Sequence, residues 1–136
     1  MAGFSERVRL LVRTRAGGGD PHDACCEACG IWLGEDKGQV QHRVARGSGG
    51  CKDPVINSPA NAALLCGTPF TGCHGACEAR DKPAAMEMNT RGFWIKHGTT
   101  LEFDPRYVKV ILLGGVEQWL SEDGRYLDEP PIEEAA

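Results

Sequence analysis

Residues 26–29 read Cys26-Glu27-Ala28-Cys29, and two further cysteines, Cys66 and Cys73, follow later in the chain. A Cys-x-x-Cys pair lets two thiolates approach one ion at about 2.3 Å without strain. The second pair has a longer spacing than usual, so the loop between Cys66 and Cys73 must bulge outward. The pattern predicts a structural zinc site on these four thiolates. The alternatives are free buried cysteines, or Cys25 in place of Cys26 at a poorer spacing.

Size and cysteine number favour a metal over disulfides. The chain has 136 residues, 18 glycines and seven cysteines, so one small, loop-rich domain is expected that needs an additional stabilising element. An odd number of cysteines leaves one unpaired in a disulfide framework. The first residues lack a secretory signal, and no stretch is long and apolar enough for a membrane span. We therefore expect a cytoplasmic protein (host cytoplasm if phage-encoded) with reduced thiols and no membrane partner.

The charge distribution leaves nucleic acid open as a partner. The formal net charge is −4, but residues 1–116 hold 14 basic and 12 acidic residues, and the deficit lies in the C-terminal part. A body with clustered arginines can still bind a phosphate backbone. The predicted N-terminal helix carries four arginines, which either form a solvated face or face DNA: Arg7, Arg9, Arg13 and Arg15.

The expected fold class is small α+β. Residues 1–19 are predicted to form an N-terminal helix over 5–15 with Ser5 as its N-cap. Residues 20–82 form a zinc-stapled core, residues 83–127 a β-rich extension, and residues 128–136 an acidic, disordered tail. Strands are predicted at 31–33, 39–43, 61–66, 93–96, 108–113 and 116–120, and helical segments at 72–81 and 84–89.

Two histidines have a context that suggests chemistry. His74 and Glu78 are four residues apart, so a helix places both on one face, where they can hold a divalent cation. His42 lies at a predicted strand end before a glycine-rich loop, and an imidazole can take a proton from water at neutral pH. Taken alone, His42 would be an ordinary surface histidine and the pair an ordinary surface pair.

Three segments together resemble the H-N-H endonucleases, and more closely the small enzymes of actinobacterial phages and prophages. The segments are residues 41–50 (QHRVARGSGG), 57–66 (NSPANAALLC) and 72–75 (GCHG). The likeness extends over roughly residues 23–81. It implies a ββα-metal core, in which a β-hairpin and a helix surround one catalytic cation.

The resemblance also implies roles for single residues. His42 matches the general base, Asn61 the asparagine that braces the loop carrying the base, and His74 a ligand of the catalytic cation (magnesium, manganese or similar). Glu78 stands where many members have a second histidine ligand. Gln41 stands where many members have His, Asp or Glu, so either its neutral amide coordinates weakly or water fills that position.

The predicted function is hydrolysis of DNA phosphodiester bonds, by nicking or double-strand cleavage. Arg43 and Arg46 are expected to hold neighbouring phosphates, because guanidinium groups suit phosphate oxygens. Similar phage enzymes imply terminase as a partner in DNA packaging, with homing and restriction as other settings. The alternatives are a non-catalytic zinc module that binds DNA or protein, and an enzyme that acts on RNA or a protein-bound substrate.

Overall fold

The structure is a computed structural model that describes residues 3–45, 54–79, 82–96 and 104–132. Within these ranges the chain is a small α+β fold of three helices and two small antiparallel sheets. The helices are α1 (Glu6–Ala16), α2 (Gly72–Glu78) and α3 (Pro83–Thr90), and the strands are β1 (Gln39–His42), β2 (Ala62–Leu65), β3 (Val110–Ile111), β4 (Glu117–Leu120) and β5 (Tyr126–Leu127).

The first sheet pairs β1 with β2 and places the predicted base at its end. His42 is opposite Ala62, and Gln41 is opposite Ala63. All four residues of β2 are buried, as its unbroken apolar run predicts. Helix α2 follows β2 and packs against it. The predictions of strands over 39–43 and 61–66 and of a helix over 72–81 are confirmed, each with slightly shorter bounds.

Helix α1 begins where the sequence predicts. The Ser5 hydroxyl accepts a hydrogen bond from the Val8 N–H at 3.1 Å, which satisfies one of the backbone donors that the first turn leaves unpaired. Val12 and Arg15 are the buried residues of the helix. The burial of Arg15 is unexpected, because both alternatives for the helix arginines place this side chain at the surface.

Arg15 belongs to a buried ion pair with Glu27, the residue after Cys26. Arg15 donates two hydrogen bonds to the Glu27 carboxylate, at 3.0 and 2.8 Å, and both side chains are 1% exposed. The same carboxylate accepts from the Leu64 N–H at 2.8 Å and from the Tyr126 hydroxyl at 2.5 Å. Four segments that are distant in sequence therefore meet at one carboxylate.

The C-terminal segment shares the core of the rest of the fold. Strands β3, β4 and β5 form an antiparallel sheet in that order, and one apolar cluster runs from Phe4 and Val12 to Phe93 and Leu120. The predicted strands at 31–33 and 93–96 are wrong: the structure has only single bridges there, Cys25 to Trp32 and Val44 to Ile95. Isolated backbone hydrogen bonds hold the first segment, such as that from the Leu33 N–H to the Ala24 oxygen at 2.8 Å. The second segment is held by burial of its side chains, those of Phe93, Trp94 and Ile95.

The tail is described only as far as residue 132. Within that part, Asp128 accepts a hydrogen bond from the Gln118 side chain at 2.9 Å, and the rest of the tail predicted to be disordered, residues 133–136, lies outside the described residues. Among the helices of the described ranges, none has the length and apolar character that crossing a bilayer would require.

Candidate functional site

The four predicted cysteines form a cluster. The Sγ atoms of Cys26, Cys29, Cys66 and Cys73 all lie within 4.8 Å of one another. Cys26 and Cys29 are on a turn whose following residue, Gly30, has φ +80°, a conformation that glycine adopts readily. Cys66 directly follows β2, and Cys73 lies in the first turn of α2. The cluster can therefore hold a metal ion between the turn that carries Cys26 and Cys29 and the unit formed by β1, β2 and α2.

The local hydrogen bonds favour the thiolate form of Cys26 in this cluster. The backbone N–H groups of Cys29 and Cys73 point at the Sγ atoms of Cys26 (3.5 Å) and Cys66 (3.4 Å). A hydrogen bond from the Cys73 thiol lowers the pKa of Cys26 to about 5, against the effect of burial. The same contact, with burial, raises the pKa of Cys73. A metal ion would displace the proton that these thiols share.

The other described cysteines lie apart from the cluster. Cys25 directs its Sγ to the backbone oxygen of Asp23 at 3.4 Å, and Cys77 is buried in the apolar core. Of the two candidates Cys25 and Cys26, it is Cys26 that joins the cluster. Cys51 lies outside the described residues.

His42 is held in one orientation at the end of β1. Its Nε2 is 2.9 Å from Oδ1 of Asn57. Because a carbonyl oxygen only accepts, Nε2 carries the hydrogen and Nδ1 is the nitrogen that can accept a proton. On one side the imidazole stacks on the ring of Phe4, with ring centroids 3.9 Å apart and planes at 15°. Sequence reasoning missed both partners, and no local pattern links residue 4 to residue 42.

Asn61 fixes the backbone that follows His42. Its amide oxygen accepts from the Val44 N–H at 2.8 Å, and its amide nitrogen donates to the backbone oxygens of Val44 (3.0 Å) and Ile56 (2.9 Å). The side chain is completely buried. Because all of these contacts are to the backbone, Asn61 ties the segment after His42 to the segment that carries Asn57.

The predicted phosphate-binding role of Arg43 is wrong, because the side chain is buried. Its side chain is 1% exposed, and it donates to four backbone oxygens at 2.5 to 2.9 Å, those of Gly92, Ala60, Pro105 and Val108. Burial, with the nearby charge of Arg15, lowers the pKa of Arg43 to about 9, so the side chain stays charged at neutral pH. A guanidinium enclosed in this way cannot contact DNA. Arg46 lies outside the described residues.

The residues after position 90 therefore support the His42 segment. Gly92, Pro105 and Val108 accept from the Arg43 side chain, and the Ile95 N–H donates to the Arg43 backbone oxygen at 2.8 Å. Gly92 has φ +83°, and a Cβ there would come within 2.0 Å of the Lys109 oxygen. The C-terminal segment thus has a structural role next to His42 that the sequence did not reveal.

His74 and Glu78 form the expected pair on α2. Nε2 of His74 is 3.7 Å from Oε1 of Glu78, with side-chain exposures of 9% and 42%. Burial lowers the pKa of His74, and the charge of Glu78 opposes that shift. The backbone N–H of His74 donates to the oxygen of Cys66 at 3.0 Å. His74 is therefore anchored beside the end of β2, whereas His42 is opposite Ala62, the first residue of that strand.

Two buried polar atoms in the described ranges have no hydrogen-bond partner: Oε1 of Gln41 and Nδ1 of His74. A buried polar atom without a partner costs about 1–3 kcal/mol, so native proteins rarely leave one unpaired. Both atoms belong to residues that the sequence predicts as cation ligands. Among the described residues, three or more His, Cys, Asp or Glu side chains come together only in the cysteine cluster.

Comparison with known proteins finds no matching family model, no matching curated protein and no matching solved structure.

Proposed function

We propose that this protein is a metal-dependent DNA endonuclease of the H-N-H type. In this proposal β1, β2 and α2 form the ββα-metal core, His42 is the general base, and His74, Glu78 and Gln41 hold the catalytic cation. The observation that carries the proposal is that two buried polar atoms of the described ranges, Oε1 of Gln41 and Nδ1 of His74, have no hydrogen-bond partner. Buried polar atoms without a partner are rare in a protein core, and coordination of a cation would give both atoms a partner.

The donor set fits a small, hard cation. An amide oxygen, an imidazole nitrogen and a carboxylate oxygen suit Mg²⁺ or Mn²⁺, with water completing the coordination. Glu78 is 42% exposed, so its carboxylate can turn toward a bound ion at little cost. When bound, such a cation supplies positive charge that stabilises the charge growing on the phosphate and on the leaving oxygen.

The residues of the chain account for the proton transfer. His42 takes a proton from the attacking water at Nδ1, because Nε2 already donates to Asn57. The Asn57 amide oxygen then stabilises the imidazolium that forms. Stacking on Phe4 restricts rotation of the ring, and Asn61 and Arg43 hold the backbone beside it. The base is thereby preorganised, which lowers the entropic part of the barrier.

For the cysteine cluster we propose zinc in a purely structural role. A tetrahedral zinc site with Zn–S bonds of about 2.3 Å has sulfur atoms about 3.8 Å apart, and the Sγ atoms of Cys29 and Cys66 are separated by 3.7 Å. Four thiolates leave no open coordination position, so the ion does not bind substrate. By anchoring Cys73, it fixes the start of the helix that carries His74.

The proposed substrate is duplex DNA, and the proposed setting is phage DNA packaging with terminase as partner. Both follow from the resemblance of residues 41–50, 57–66 and 72–75 to small phage H-N-H enzymes. Packaging requires cuts in long DNA, and a small nicking enzyme can assist the terminase that makes them. Co-purification of tagged protein with the terminase of the same genome tests this partnership.

The activity is tested by incubating purified, zinc-loaded protein with supercoiled plasmid, with and without Mn²⁺ or Mg²⁺. We expect conversion to open-circular or linear DNA that requires the divalent cation and stops with EDTA. Parallel reactions with single-stranded DNA and RNA define the substrate class. A protein that shifts DNA in a gel but cuts none of these substrates would be a non-catalytic zinc module, and the proposal would be wrong.

A further inference from the structure

A basic groove runs beside the strand that carries His42. It has a volume of about 340 Å³ and is lined by Arg9 and Arg13 of α1 together with Gly38, Gln39 and Val40. One wall is a helix face with two guanidinium groups one turn apart. The other wall is the start of β1, which pairs only with β2 among the described strands.

The two arginines have different surroundings. Arg13 donates to the Gly34 oxygen at 2.9 Å, and the charge of Asp36 counteracts the lowering of its pKa by burial. Arg9 is exposed and has no carboxylate within salt-bridge distance among the described residues. Like charges four residues apart on a helix destabilise it by about 0.2–0.5 kcal/mol. The sequence thus keeps a small repulsion in this groove.

The groove and the proposed base lie at opposite ends of β1. Gln39 and His42 are the first and last residues of β1, so about 10 Å of strand separates them at roughly 3.3 Å per residue. That length corresponds to about three base-pair rises of B-DNA along the helix axis, at about 3.4 Å each. The N-terminal residues also reach His42 directly, because Phe4 stacks on its imidazole.

We infer that the groove between α1 and β1 binds the DNA backbone a few nucleotides from the scissile bond, with Arg9 as the main phosphate contact. This inference rests on the proposed function, and it replaces the phosphate-binding role expected for Arg43. Guanidinium groups bind phosphate oxygens in a bidentate way. Arg13, held by Gly34, lines the groove with its position fixed, while Arg9 remains available to pair with the ligand.

The test measures binding apart from cleavage. The His42→Ala protein is titrated into a fluorescent 30-base-pair duplex in divalent-free buffer, and anisotropy gives Kd at several salt concentrations. Adding Arg9→Gln should raise Kd about fivefold and lower the salt slope by about 0.9, the value for one lost phosphate contact. Arg9→Lys should recover most of the affinity. Because glutamine and arginine have similar helix propensities, melting temperatures should agree.

Arg7→Gln is the matched control, since Arg7 is exposed on the same helix but does not line the groove. It should change Kd less than twofold. Equal losses for the two variants would show a bulk-charge effect and overturn the inference, as would an Arg9→Gln protein with unchanged Kd. If the wild-type protein binds DNA through Arg9 but never nicks it, the endonuclease proposal is wrong and the DNA-binding role of the groove stands. If the wild-type protein nicks DNA efficiently and Arg9→Gln leaves Kd unchanged, the endonuclease proposal stands and the inference about the groove is wrong.

Discussion

The Asn61 side chain both accepts from and donates to the backbone of Val44, at 2.8 and 3.0 Å. This reciprocal pair closes the segment that follows His42, and the third bond of the amide reaches Ile56, next to Asn57. The Asn61 amide thus holds both the backbone after His42 and the segment that carries Asn57, the hydrogen-bond partner of His42. This arrangement makes the position of the imidazole depend on Asn61.

Replacing Asn61 with alanine should therefore reduce cleavage more than it reduces folding. Loss of the amide leaves buried backbone groups of Val44 unpaired, at a cost of about 1–3 kcal/mol in unfolding free energy. A shift of the base by about 1 Å can cost about 100-fold in rate. Urea denaturation and plasmid nicking measure the two effects. Nicking at the wild-type rate by a destabilised Asn61→Ala protein would show that the brace does not serve catalysis.

Arg43→Met should destabilise the protein strongly and leave DNA affinity unchanged while the protein is folded. The substitution removes donors from four backbone carbonyls, and each buried acceptor that stays unpaired costs about 1–3 kcal/mol. Urea denaturation and anisotropy at low temperature check both expectations. A variant with normal stability and impaired DNA binding would contradict the buried position of Arg43.

The Arg15–Glu27 pair should show strong coupling in a double-mutant cycle. Glu27→Gln or Arg15→Met alone leaves one buried charge unbalanced and should cost about 3–5 kcal/mol. The double variant Arg15→Met/Glu27→Gln should lose much less than the sum, because neither charge then remains buried. The free energies of unfolding in urea provide the measurement. Additive losses would mean that the two side chains do not interact in solution.

Zinc removal should unfold the protein, because metal binding contributes on the order of 10 kcal/mol in small zinc domains. Cys29→Ser should lose the metal and the cooperative thermal transition. Cys25→Ser is the matched control: its thiol is adjacent in sequence to Cys26 but outside the cluster, so about one zinc per chain should remain. Metal analysis and circular dichroism measure both. A stable, zinc-free Cys29→Ser protein would contradict the structural role.

The sequence predicts the parts of the fold that depend on local pattern. The capped helix α1, the strand before His42, the apolar strand β2 and the clustering of Cys26 with Cys29 all follow from spacing and periodicity. Each of these features is determined by residues that are close together in the sequence. The same local patterns led to wrong strands at 31–33 and 93–96, where each segment makes a single bridge instead of a ladder.

The remaining features depend on contacts between distant residues. Arg43 and Arg15 resemble surface arginines in the sequence, because their acceptors lie in segments that the chain brings together only on folding. The stacking of Phe4 on His42 and the bond from His42 to Asn57 have the same origin. No periodic pattern encodes such pairs. The sequence could therefore suggest the base and, through the resemblance, Asn61, but it could not identify Phe4 and Asn57 as the partners of the His42 ring.

The most direct test of the central claim compares His42→Ala with His22→Ala in the Mn²⁺-dependent plasmid assay. His42 is the proposed base, whereas His22 is exposed and pairs with Glu35 at the surface. We predict that His42→Ala slows nicking by about 10²–10⁴-fold and retains its zinc, while His22→Ala cuts at the wild-type rate. A folded, zinc-containing His42→Ala protein that nicks DNA as fast as the wild type would contradict the account.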